Sequence, residues 1–190
     1  MINLLPVFTG QQTMADVVAP MTIADLRNET NELTTHILAL LADCDDDDVT
    51  FQPVDPEAND PVASSAEEVG IAWTLGHVIV HLTAGNEEMA ALAAEQARGV
   101  PFHGRSRYEV PWETMTTVAQ LRHRLEESQR MCLGALDMWP DQPDLDLTGE
   151  AWPGGPVVDA RGRYLIGIGH AVSHLDQIKE IIRQSHAAKQ

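Results

Sequence analysis

The sequence predicts an all-α protein, a four-helix bundle with long connections after its second and third helices. Four long segments repeat apolar residues at steps of three and four, stretches rich in Pro, Gly and Asp separate them, and no segment sustains strand alternation. With 190 residues, 44% of them hydrophobic, the chain suits one domain with a real core. We expect residues 1–20 to form an N-terminal extension and residues 21–190 to form a single bundle domain.

The first two helices are predicted near residues 22–43 and 65–98. Thr22 is a favourable N-cap, because its side-chain oxygen accepts a hydrogen bond from an otherwise unpaired backbone N–H of the first turn. Glu67 and Glu68 would lie in the first turn of the second helix, where the helix dipole favours negative charge. A proline-containing connection separates the two segments.

The last two helices are predicted near residues 117–139 and 162–186. Thr117 and Gln120 form a capping-box pattern at the start of the third helix, and Pro140 ends it. The fourth helix follows a long connection and carries an apolar stripe with the same helical spacing.

The charge of the chain excludes several partners. Lys and Arg number 12 and Asp and Glu number 29, which gives a net charge of −17. We therefore expect no nucleic-acid partner and no anionic membrane partner, since both need a basic surface. No apolar run is long enough for a membrane span, no signal peptide is evident, and the two cysteines are too few for a disulfide framework. We expect a cytoplasmic protein.

Two pairs of histidines suggest a metal site. His170 and His174 are four residues apart on the fourth predicted helix, and His77 and His81 repeat this spacing on the second, so each pair shares one helix face. Both pairs lie among apolar residues, where an unpaired imidazole is costly. A shared metal ion removes that cost, and three His ligands with an open position are typical of a catalytic site.

The same residues resemble the motifs of the DinB-like superfamily of metal-dependent helical bundles. Trp73-Thr74-Leu75 followed by His81-Leu82 is similar to the second-helix motif of that family, and the segment from His170 to Ile178 resembles its last-helix motif, H-x-x-x-H-x-x-Q-I. The resemblance implies an up-up-down-down bundle, usually a homodimer, with a divalent metal on His81, His170 and His174. Relatives include transferases that use bacillithiol or mycothiol, and mycothiol-dependent maleylpyruvate isomerases.

Two features of the predicted metal site stay open. The iron-dependent sulfoxide synthases within the family place the histidine four residues after the Trp, which here is His77, so His77 is an alternative to His81. Nitrogen ligands suit zinc or nickel, and an all-histidine set does not exclude iron.

Other polar residues are candidates for the surroundings of the site. Gln177 lies three residues after His174 and is the favoured hydrogen-bond partner of a ligand; Glu87, Glu88 and Asp176 are alternatives. Arg105 and Arg107 form a local basic feature, and we take them as candidates for binding the carboxylates of a thiol cofactor such as bacillithiol. Pairing with Glu109, with Glu113 or with a dimer partner is the alternative. Trp112 and Trp152 lie in the long connections, where they could form the wall of a pocket or plug the bundle end, and we favour the plug.

The resemblance and the histidines together favour a divalent-metal-dependent transferase acting on a low-molecular-weight thiol of the bacillithiol type and a small-molecule electrophile. One alternative is a metal-dependent hydrolase, in which the same metal activates water. A second is a non-catalytic, dimeric metal-binding stress protein. The sequence identifies no catalytic base.

Overall fold

The computed structural model describes residues 1–60, 66–67, 69–105 and 109–189, and their regular structure is almost entirely helical. The all-α class predicted from the sequence is confirmed. The helices are α1 (Leu5–Phe8), α2 (Met14–Val18), α3 (Ile23–Leu40), α4 (Asp46–Thr50), α5 (Leu75–Ala97), α6 (Val118–Asp137), α7 (Ala160–Ser173) and α8 (Leu175–Ala188), with a 3-10 turn at Trp112–Thr114. Strands β1 (Gly149–Glu150) and β2 (Val157–Val158) form one antiparallel pair.

Side-chain caps fix the starts of the first and third predicted helices. The Thr22 side chain accepts from the backbone N–H of Asp25, whose carboxylate in turn accepts from the Thr22 N–H, so α3 begins with a complete capping box. Thr117 and Gln120 make the same reciprocal pair at the start of α6. The capping pattern predicted from the sequence is confirmed at both positions.

The predicted start of the second helix is wrong. Helix α5 begins at Leu75, with Thr74 as its N-cap accepting from the His77 N–H, whereas the prediction places the start near Ser65. Ser65 and Glu68 lie outside the described residues, while Glu67 and Gly70 lie in turns. Glycine and the Thr74 cap explain the late start, because Gly is a poor helix former and Thr at an N-cap satisfies a free N–H.

The fourth predicted helix is divided at His174 into α7 and α8. In a continuous helix the His170 carbonyl would accept from the His174 N–H. Here the Ser173 hydroxyl donates to the His170 carbonyl at 2.6 Å, and the His174 N–H bonds to the Ala171 carbonyl at 3.2 Å. Such local hydroxyl bonds compete with the helical ladder. The division therefore falls between the two histidines of the last motif.

Helix α5 is the centre of the packing, because it contacts α6 on one side and α7 on another, while α3 packs against α6 and α7. The predicted N-terminal extension also contributes to the core: Leu4, Val7, Met14 and Val18 are all buried in it. Each helix in the described part of the chain is too short or too polar to cross a bilayer.

Candidate metal centre

Three imidazoles from two parts of the fold meet at one point. His81 projects from α5, His170 from the last turn of α7, and His174 from the junction of α7 and α8. The Nε2 atom of His170 lies 3.0 Å from Nε2 of His81 and 3.2 Å from Nε2 of His174. The structure thus brings together the three histidines that the sequence predicts as ligands.

Two of these rings have their other nitrogen hydrogen-bonded away from the cluster. The Nδ1 atom of His81 lies 3.1 Å from the carboxylate of Glu109, and Nδ1 of His174 lies 2.7 Å from the Gln177 side-chain oxygen. A carboxylate only accepts, so His81 carries its proton on Nδ1, and the Gln177 oxygen imposes the same tautomer on His174. Both rings therefore direct an Nε2 lone pair into the cluster, as metal-bound histidines do.

Burial favours the neutral form of two of the three rings. It lowers the pKa of His170 to about 3, with His174 and His81 acting in the same direction. Burial also lowers the pKa of His174, against the opposing effect of the Gln177 hydrogen bond. Neutral imidazoles are the form that ligates metals, so these rings need not lose a proton to bind one at neutral pH.

The spacing of the three nitrogens fits one ion. Zinc–nitrogen bonds of about 2.0–2.1 Å at tetrahedral angles place two ligand nitrogens roughly 3.3 Å apart. The two Nε2–Nε2 distances of 3.0 and 3.2 Å are close to that value. With His81 and His174 protonated on Nδ1, the one proton that His170 Nε2 can carry serves at most one of the two contacts. No proton lies between the nitrogens of the other contact, and a shared cation would relieve their repulsion.

Gly85 makes room for the His170 ring. A Cβ atom at this position of α5 would lie 3.0 Å from Nδ1 of His170 and 3.4 Å from its Cε1. Glycine is unfavourable inside a helix, yet it allows close approach here. The glycine thus serves the close approach of α7 to α5 at the cluster.

His77 does not join the cluster. Its ring lies between Trp73 and Trp112, with centroid distances of 4.5 and 4.6 Å and interplanar angles of 23° and 2°. Burial lowers its pKa to about 4, and the described residues offer its buried Nδ1 atom no hydrogen-bond partner. Of the two alternatives that the sequence leaves open, the structure places His81 beside His170 and His174.

The cluster lies in an open cleft with a volume of about 1610 Å³. Trp112 and Trp152 line its wall, and Trp112 also covers His77, so their interpretation as plugs of the bundle end is wrong. Arg105 lines the cleft too, but its guanidinium is paired with Glu88. Arg107 lies outside the described residues.

Of the polar residues expected to hydrogen-bond to the three histidines, one does so and others have different partners. Gln177 is confirmed as a partner of His174. Glu87 pairs instead with Arg124 across α5 and α6, and Asp176 pairs with Lys179 at the surface. Glu109 is not predictable from the sequence as the partner of His81, because no local spacing connects a loop residue to a helix residue 28 positions earlier.

A second group of possible ligand atoms, from Cys44, Asp48 and His186, lies where α4 meets α8. The Lys189 ammonium already lies 2.6 Å from the Asp48 carboxylate, and the Ser185 hydroxyl donates to the same oxygen at 2.6 Å. This cluster is an ion-paired contact that holds the C-terminal helix against α4.

The fold is mostly helical, and three histidines converge in its cleft to form a candidate metal centre. The family model of the DinB superfamily matches residues 29–178, and the chain belongs to this superfamily. No curated protein and no solved structure matches it.

Proposed function

We propose that His81, His170 and His174 bind one divalent metal ion and that the protein is a metal-dependent transferase for a small thiol. The convergence of three Nε2 atoms at 3.0 and 3.2 Å carries this proposal. Three protein ligands leave an ion with at least one open position, as catalytic sites do. Zinc and nickel suit the nitrogen ligands, and iron is compatible with them.

The residues around the three histidines support their role as metal ligands. Glu109 and Gln177 hold the proton of their histidine on Nδ1, which keeps the two rings in the tautomer and orientation that a ligand needs. Trp73 lies against His81 and His174, with ring centroids 4.6 and 5.8 Å away, and so covers one side of these two rings. A divalent ion held there would lower the pKa of a thiol that binds to it.

In the proposed reaction the thiol loses its proton to water, its sulfur forms a bond to an electrophilic carbon, and the bond from that carbon to the leaving group breaks, with the electron pair going to the leaving group. The cleft holds both partners, since its volume of about 1610 Å³ exceeds that of a site for one small molecule. The bound ion would act on the thiol, and the walls of the cleft would position the electrophile.

The charge of the cleft argues against a thiol of the bacillithiol type. Its carboxylates would need a free cationic partner, and among the described residues that line the cleft the one Lys or Arg is Arg105, which is engaged with Glu88. We therefore propose a thiol without several carboxylates.

A transfer assay tests the proposal. Zinc- or nickel-loaded protein should consume a small thiol and an electrophile in equal amounts, and the His174→Ala variant should lose this activity. The same preparations should be measured against a panel of esters and amides. Hydrolysis without thiol consumption would show the hydrolase alternative to be right, and inactivity in both assays with full metal occupancy would favour the non-catalytic alternative.

We also propose that the protein is a cytoplasmic homodimer. The exposed side chains of Met131 and Met138 support the dimer, because they are seven residues apart along α6 and at its end and so share a face. Light scattering should give the mass of two chains, and Met131→Glu should shift it toward one. A single-chain mass at every concentration would contradict the dimer.

A further inference from the structure

The cleft around the three histidines is strongly acidic. Eight of the described residues that line it are Asp or Glu, and Arg105 is the one Lys or Arg side chain among them. Three of these eight carboxylates form ion pairs with described residues, Glu88 with Arg105, Asp176 with Lys179 and Glu180 with Arg183, and these pairs reduce the net negative charge of the lining. A divalent ion on the histidines would add two positive charges and still leave this lining negative.

Part of this negative charge lies close to the candidate metal centre. Glu109 bonds to His81 directly. Burial lowers the pKa of His77, and the carboxylates of Glu109, Asp60 and Glu113 act in the opposite direction, which puts all three within electrostatic reach of that ring. A ligand at the centre therefore meets carboxylates from two connecting segments of the chain.

Exposed aromatic rings line the same cleft. The side chains of Trp152 and Phe8 are 38% and 49% exposed, and their ring centroids lie 6.2 Å apart at an interplanar angle of 31°. The Trp152 ring packs directly on Gly155, where a Cβ atom would lie only 2.6 Å from it. The faces of aromatic rings attract cations, most strongly for Trp.

We infer that the substrate bound in this cleft carries a positively charged organic ammonium group, an inference that rests on the cleft being the binding site of the proposed function. Carboxylates attract an ammonium group at long range, and aromatic faces accept it after desolvation. An anion of the same size meets repulsion from the carboxylates and finds Arg105 engaged. The ammonium group belongs to the thiol or to its electrophile.

Three probes that share a benzyl group and differ in charge test this inference by calorimetry on the full chain. Benzyltrimethylammonium has no lone pair and so cannot ligate a metal; benzyl alcohol is neutral and phenylacetate is anionic. Each is titrated into the metal-free protein and the zinc-loaded protein. The ammonium probe should bind at least about tenfold more tightly than either other probe to the metal-free protein, and its affinity should fall as salt screens the carboxylates.

Matched variants localise the effect. Glu113→Gln should weaken binding of the ammonium probe several-fold, because it removes one charge from the cleft wall. Trp152→Leu should weaken it as well. Glu126→Gln, an exposed position on α6 that does not line the cleft, should leave the affinity unchanged apart from a small general charge effect.

The inference fails if phenylacetate binds the metal-free protein as tightly as the ammonium probe, if no probe binds at millimolar concentration, or if Glu113→Gln has no larger effect than Glu126→Gln. Zinc stoichiometry, measured on the same samples, keeps the two proposals apart. Stoichiometric zinc without ammonium binding overturns only this inference. Ammonium binding by a protein that takes up neither zinc nor nickel nor iron stoichiometrically overturns the proposed function, but the preference of the cleft for cations remains.

Discussion

Glu109 and His81 join a loop to helix α5 at the candidate metal centre, with the Glu109 carboxylate oxygen 3.1 Å from the His81 Nδ1 atom. The hydrogen bond from His81 lowers the pKa of Glu109, so the carboxylate is ionised at neutral pH. An ionised partner on Nδ1 makes the opposite nitrogen a stronger metal ligand. The position of the loop therefore affects how strongly His81 would bind a metal ion.

Replacing Glu109 should weaken metal binding without unfolding the protein. Glu109→Ala is expected to lower zinc affinity about 10- to 100-fold, the usual effect of losing a hydrogen-bond partner of a ligating histidine. Competition with a chromophoric chelator measures the affinity. Glu113→Gln, which removes a nearby carboxylate without a bond to the ligands, is the control; an equal loss in both variants would show that only general charge matters.

Gly85→Ala should separate helix stability from metal binding. Alanine is favoured over glycine in a helix by about 1 kcal/mol, but its Cβ would lie 3.0 Å from the His170 ring. We expect the His170 ring to move and zinc affinity to fall, with the helical circular dichroism signal retained. The prediction is wrong if the variant binds zinc as tightly as the parent chain.

Gly134→Ala on α6 is the matched control, since nothing lies within 4 Å of its added Cβ. It should raise the free energy of unfolding by up to about 1 kcal/mol, measured by urea denaturation, and leave zinc affinity unchanged. A loss of zinc affinity in this control would show that the effect at Gly85 is not local.

The Asp48 contact predicts a defined acid sensitivity. Burial alone would raise the pKa of Asp48, but hydrogen bonds from Lys189, Ser185 and the backbone of Asp45 outweigh it and hold the pKa at about 2. A pKa lowered in the folded state stabilises the fold above the unfolded value near 4 and stops doing so as the pH falls toward 2. The contribution of Asp48 is thus complete at neutral pH.

Asp48→Asn should therefore lower the free energy of unfolding at pH 7, and the difference from the parent chain should shrink between about pH 4 and pH 2. Urea denaturation at a series of pH values measures it. The exposed Asp176→Asn is the control, since its partner Lys179 is also at the surface. A difference that stays constant across this range would contradict the role of the Asp48 carboxylate.

Local sequence signals predicted part of this fold and site well. The Thr22 and Thr117 caps follow from side-chain chemistry within three residues, and they are confirmed. The spacing of His170 and His174 and the position of Gln177 are also local. Two features of the helices were not predicted correctly. The start of α5 depended on a choice between two possible N-caps. The division of the last helix at His174 depended on the Ser173 hydroxyl, which competes for the His170 carbonyl.

The remaining features depend on contacts between distant parts of the chain, which one sequence does not reveal. Glu109 reaches His81 only because a loop folds back over α5. Trp73 and Trp112 enclose His77 from two separate segments. The pairing of Arg105 with Glu88 likewise appears only once the loop is placed, and it changes the expected charge preference of the cleft.

The central claim is tested most directly by the zinc stoichiometry of metal-reconstituted protein, measured by elemental analysis for the parent chain and for His174→Ala. His123→Ala, an exposed position on α6, is the control. We expect one ion per chain in the parent and the control, and a loss of stoichiometric binding in His174→Ala with its helical content retained. Full occupancy in His174→Ala, or no stoichiometric binding in the parent chain, would contradict the three-histidine centre.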